Sequence, residues 1–162
     1  PYQGIVLTPA GEREALLNIR RHRLVERFLV DVMQFGWHEV HGPADELGNS
    51  VGDIVVERMA DMAGNPRRCP HGEPIPALDG TLLEPDDTPL SDARDGDLLE
   101  ITRVRTRETD RLQYIAALGL VPGAQIELMH AAPFAGPLQI KLGGEYRIIG
   151  HNLAEFILVK PG

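Results

Sequence analysis

The chain has 162 residues, 43% hydrophobic and 25% charged, which fits one domain or two small ones with a real core and excludes wholesale disorder. Its formal net charge of −8 argues against these residues forming a DNA-contacting face by themselves. No apolar run approaches the roughly 18 residues of a membrane span, and nothing N-terminal reads as a signal peptide. A single cysteine, Cys69, excludes an intrachain disulfide and any multi-cysteine zinc site. The expected class is soluble, acidic and cytoplasmic.

The chain opens with Pro1-Tyr2-Gln3-Gly4 and then the strand-like Ile5-Val6-Leu7, which reads as the second half of a hairpin whose first half lies upstream. Thr8-Pro9 is a helix start, because Thr can cap free amides and Pro is favoured at the first helical position. From there to Phe35 no further Pro occurs, and Leu17, Leu24, Phe28, Val32 and Phe35 recur at helical spacing. Val25, Leu29 and Met33 add a second apolar face, so this helix is expected to pack on two sides, one of them against a second subunit. Gly36 is the expected stop. Shorter helices are expected around His41 to Leu47 and over Ser50 to Met62, the latter ended by Gly64-Asn65-Pro66.

Residues 65–96 change character. Pro66, Pro70, Pro74, Pro76, Pro85 and Pro89 break any helix, and Asp86, Asp87, Asp92 and Asp95 make the stretch acidic, so it reads as a linker containing ordered turns. Beyond it, strands are expected at 98–101, 125–128, 138–140, 146–148 and 156–159, interrupted by one helix at about Asp110 to Leu118. Short strands at this spacing suggest a small barrel. The fold class expected is α+β, a helical domain followed by a β-barrel.

Two residue pairs could carry chemistry. His22 and Glu26 are four apart on the long helix and share a face, and His41 and Asp45 are also four apart. Two packed helices offering such pairs could surround one cation with imidazoles and carboxylates, a donor set that suits Mn, Fe, Co, Ni or Zn better than Ca or Mg. Spacing alone equally describes surface hydrogen-bonded pairs, and Gly42-Pro43 leaves open whether His41 and Asp45 share one helix.

The run LTPAGEREALLNIRRHRLVERFLVDVMQFGWHEVHGPADEL, followed by VVERMADMAGNPRRCPHGEPIP, is similar to the dimerisation domain of the diphtheria toxin repressor family, the iron- and manganese-dependent transcriptional repressors. The segment from Gly96-Asp97 through ALGLVPGAQIEL to GHNLAEFILVK resembles the SH3-like domain of the larger members. The resemblance implies residues 1–7 as the end of the wing of a winged helix-turn-helix that lies outside this chain. It implies 8–64 as the metal-binding and dimerisation domain, 65–96 as linker and 97–162 as the SH3-like domain. The function implied is metal-dependent transcriptional repression in manganese or iron homeostasis, not catalysis. A divalent metal (Mn2+ or Fe2+, with Zn2+, Co2+ or Cd2+ able to substitute) acts as corepressor, the protein is a homodimer, and operator DNA is read by the winged-helix domain.

The resemblance also implies ligands. The family's ancillary site uses a His, a Glu four later and a His fifteen after that, and His22, Glu26 and His41 fill all three positions. It takes a further Glu from the SH3-like domain, for which Glu108 is the candidate; three residues on, where the family often has Gln, stands Arg111. The activating site begins four after the second His, here Asp45, a hard oxygen donor suited to Mn. The family's Glu-His seven and eight after that His are Gly48 and Asn49 here, so metal is expected at the ancillary site and weakly, if at all, at the other.

The remaining features have plainer readings. Cys69-Pro70-His71-Gly72 reads as an ordered turn, and Trp37 and His38 as packing and solvent contacts at a helix end. Tyr114 and Leu118 are expected to pack the small helix on the barrel, and Gly143-Gly144 to form a hairpin turn. Arg20, Arg21 and Arg23 make a basic cluster more consistent with solvation or salt bridging than with DNA. Two other classes compete: a barrel that binds Pro-rich segments, for which aromatics are few (5%), and a hydrolytic metal centre, for which no separate general base is evident.

Overall fold

The computed structural model describes residues 6–162. Packing divides it into two units: one runs to Phe35 and takes in Val40–Cys69 and Pro74–Glu84, the other holds Gly36–Glu39, Pro70–Glu73 and Pro85–Gly162.

The first unit is three helices: α1 (Pro9–Asp31), α2 (His41–Ser50) and α3 (Asp53–Met62). Thr8 caps α1, its hydroxyl accepting from the Gly11 amide at 3.1 Å, and Pro9 takes the first helical position, where no hydrogen bond is lost. Leu24, Val25 and Leu29 of α1 are buried with Val40, Ala44, Val56, Met59 and Ala60, so α1 packs on both shorter helices. That burial carries the fold, since α2 and α3, at 10 residues each, are too short to be stable alone in water.

Helix ends account for the departures from expectation. α1 stops at Asp31, four residues before Phe35, because Gln34 turns to a left-handed φ of 63° and the Phe35 amide folds back onto the Leu29 carbonyl. The reversal therefore does not use Gly36. α3 starts at Asp53 rather than Ser50, which closes α2. Its end is as expected: the Gly64 amide bonds the Asp61 carbonyl and Asn65 the Ala60 carbonyl, with Gly64 at φ 79° and Pro66 following. The strand expected at 5–7 begins outside the described residues; Val6 and Leu7, which are described, have no regular secondary structure.

The basic cluster clamps the unit internally. Arg20 grips the Glu57 carboxylate, at 2.8 and 3.1 Å through Nη2, and donates to the Pro76 carbonyl at 3.0 Å. Arg23 donates to the Pro74 carbonyl. Arg21 donates to the carbonyls of Gly48 at 3.2 Å and Val51 at 2.6 Å and pairs with Asp53. These contacts tie α1 to the α2–α3 corner and to the segment after Pro74.

The second unit is a six-stranded antiparallel sheet in the order β1-β6-β2-β3-β4-β5. The strands are β1 (Thr88–Pro89), β2 (Leu98–Val104), β3 (Gln125–Ala131), β4 (Leu138–Leu142), β5 (Glu145–Ile149) and β6 (Ile157–Pro161), with helices α4 (Thr109–Ala117) and α5 (His151–Ala154). The fold class is the expected α+β with a small SH3-like unit, but the pairing order is open at β1 and β5 instead of closing as a barrel. Register shifts between Ile101 and Arg103 and between Leu128 and His130 bend the sheet around its core. Leu90, Ile101, Leu112, Ile115, Leu120, Leu128, Ile140 and Ile157 fill that core. Leu112 and Ile115 anchor α4, with Leu118 packed beside them, whereas Tyr114 faces solvent. The Pro-rich stretch supplies more than turns: it contributes β1 and the fully buried Leu90.

One buried charge cluster holds this unit. Arg103 pairs with Asp87 at 2.8 Å and Glu73 at 3.1 Å, the Asp87 side chain being fully buried. The Thr102 hydroxyl donates to the same Asp87 at 2.6 Å. Gly72, at φ 88°, runs so close to β2 that a Cβ would lie 2.1 Å from the Thr102 carbonyl oxygen. Among the described residues no helix is long and apolar enough to cross a membrane.

Candidate metal centre

The helical period puts His22 and Glu26 on one face of α1, and the packing of α2 brings His41 against that face. His41 opens α2 and Pro43 lies in its first turn, where backbone amides have no helical partner, so Pro costs nothing and His41 and Asp45 share one continuous helix. The Glu26 carboxylate is the centre of the arrangement. Its Oε1 lies 2.8 Å from His22 Nε2 and 2.5 Å from His41 Nδ1, and the two imidazoles stack with centroids 6.0 Å apart. One ligand atom from each of His22, Glu26 and His41 falls within 4.8 Å of the others.

Glu26 is 1% exposed. A buried carboxylate is costly unless positive charge meets it, and the imidazoles facing it carry charge only when protonated. Two nitrogens and a carboxylate oxygen that converge on one point, shielded from water, are a donor set for a divalent transition metal. The residues present therefore fit such an ion, whose charge would balance that of Glu26.

Asp45 lies on the other side of the His22 ring. Its Oδ1 lies 2.9 Å from Nδ1 of His22, the ring nitrogen turned away from Glu26. At Gly48 there is no side chain to offer; its carbonyl accepts from Arg21, and a Cβ there would meet the Arg21 stem at 3.9 Å. Asn49 is exposed on α2. Glu108 belongs to the second unit, where it stands just before α4 without a side-chain cap bond and pairs with Arg111 at 3.0 Å; Arg111 in turn lies 4.1 Å over the Phe156 ring. What the sequence could not show is which nitrogen of His22 faces which carboxylate, since spacing fixes a helix face and not a ring orientation.

Comparison with known proteins agrees with this architecture. Residues 8–77 match the family model for the iron dependent repressor metal binding and dimerisation domain, and residues 88–161 match the FeoA domain. A solved manganese-dependent transcriptional repressor in complex with manganese is 33% identical and superposes with a TM-score of 0.93, over all of this chain and 77% of that one. The chain belongs to the diphtheria toxin repressor family of metal-dependent transcriptional repressors. Among curated members of that family, the iron-dependent repressor IdeR of Mycobacterium tuberculosis is 27% identical over 166 residues, covering 95% of this chain and 72% of its own. The diphtheria toxin repressor of Corynebacterium glutamicum is 26% identical over 140 residues, 80% of this chain. The chain spans 61% of the length of that relative.

Proposed function

We propose that this chain is the metal-sensing and dimerising part, with its SH3-like unit, of a manganese- or iron-dependent repressor. His22, Glu26 and His41 hold one divalent ion. The observation that carries this reading is the buried Glu26 oxygen shared by two imidazoles from different helices. An ion there would crosslink α1 to α2, and its binding free energy would favour the conformation in which those helices are joined. The manganese complex of the similar repressor supports Mn2+ as a ligand. The donor set accepts Fe2+, and Zn2+ would bind it tightly by affinity order.

Two further parts of the proposal follow from surface chemistry. Ile54, Val55 and Met62 of α3, with Val32 and Met33 after α1, are exposed apolar side chains on the first unit, as a homodimer face requires. A net charge of −8 leaves operator phosphates to a winged helix-turn-helix outside these residues. Glu108 is retained as a candidate contributor from the SH3-like unit, in competition with its Arg111 partner.

Full-length protein, stripped with chelator and offered a pool of randomised duplex DNA, tests the reading. Mn2+ is expected to enrich one sequence class, and His22→Ala to abolish the enrichment. Equal enrichment with and without metal would contradict it.

A further inference from the structure

We infer that Asp45 is a positioning residue for the metal centre rather than one of its ligands. This rests on the proposed ion at His22, Glu26 and His41. The two nitrogens of an imidazole point away from each other across the ring, so one ion cannot take both. In this structure the two sides of His22 are already divided: Nε2 faces Glu26 at 2.8 Å and Nδ1 faces Asp45 at 2.9 Å. Both nitrogens thus face carboxylates, which only accept hydrogen bonds. With an ion bound on the Glu26 side, Nε2 would give its lone pair to that ion and the remaining ring proton would stay on Nδ1, held there by Asp45.

The two helices thereby interlock. α2 contributes His41 to the centre and, one turn on, the carboxylate that orients the donor of α1. The Asp45 side chain is about half exposed, 55%, so it can be replaced without opening the core. The surroundings also disfavour a second ion built on Asp45. The next turn of α2 offers Gly48, which has no donor side chain, and the guanidinium of Arg21 donates to its carbonyl.

The test uses the whole chain, stripped of metal, in four forms: wild type, Asp45→Ala, Asp45→Asn and His22→Ala. Calorimetric titration with Mn2+ gives affinity and stoichiometry, and 15N NMR of the imidazoles after loading with diamagnetic Zn2+ gives the tautomer of His22. Wild type is expected to bind one equivalent, with the His22 proton on Nδ1 and the metal on Nε2. Asp45→Ala is expected to keep one equivalent but weaken it about 10- to 100-fold, with His22 losing its single tautomer. Asp45→Asn, whose amide oxygen can still accept from Nδ1, restores the tautomer and most of the affinity. A loss of one equivalent in Asp45→Ala, or unchanged affinity and tautomer, would overturn the positioning role. His22→Ala separates this from the underlying reading: if it retains full metal binding, the proposed centre itself is wrong.

Discussion

Each unit buries charge, and each solves the resulting problem differently. In the SH3-like unit Arg103 meets the fully buried Asp87 carboxylate at 2.8 Å and Glu73 at 3.1 Å, with the Thr102 hydroxyl completing the set. Arginine is charged at every working pH, so that cluster is balanced from within the chain. In the helical unit the buried Glu26 is met by His22 and His41, whose charge is conditional. The comparison shows how one kind of physics yields a structural device and a sensor. A permanent counter-charge makes a lock, and a conditional one leaves a place that an external cation can fill.

The largest expected effect breaks the lock. Arg103→Leu strips the counter-charge from Asp87 and is expected to destabilise the SH3-like unit by roughly 3–5 kcal/mol, as removing one partner of a buried pair does. Urea unfolding checks this, and added Mn2+ should not recover the loss. Next is the sensor: Mn2+ at about 100 times its Kd should stabilise the helical unit by about 2.7 kcal/mol. Glu26→Gln should abolish that gain while leaving the metal-free protein near wild-type stability, as thermal melts with and without Mn2+ would show.

Acid sharpens the same contrast. Burial pushes the Asp87 carboxyl up, but hydrogen bonds from Arg103 and Thr102, and the charge of Arg103, outweigh it and hold the group below the ordinary aspartate range. A folded-state pKa depressed in this way contributes stability that is present above the unfolded value of about 3.9 and is lost as pH falls through the folded one. Stability measured against pH should therefore fall below about pH 4 in wild type and run flatter there in Asp87→Asn. The smallest effect concerns neither cluster. Thr8→Ala removes the α1 cap and is expected to cost about 1 kcal/mol in urea unfolding, with metal affinity unchanged.

Much of this architecture was legible because it rests on periodicity. The long helix, the His22–Glu26 pair and the Gly64-Asn65-Pro66 stop follow from spacing and from residues with strong backbone preferences. What escaped was set by tertiary contact. α1 ends early because Gln34, not a glycine, takes the left-handed turn. Thr88-Pro89 becomes a strand only because β6 is there to pair with it. Gly72 reads as a turn residue, yet its position is dictated by the Thr102 carbonyl crossing where a Cβ would stand. At the site, spacing placed His22 and Glu26 on one helix face and left open whether His41 and Asp45 share a helix, while the division of labour between the two nitrogens of His22 needed the packing of α2.

The central claim, that a buried carboxylate between two imidazoles holds one divalent ion, is tested most directly by counting that ion. Titration of the metal-stripped chain with Mn2+, wild type against Glu26→Gln, should give one equivalent per chain in the first and none in the second. Equal binding in both would contradict the account.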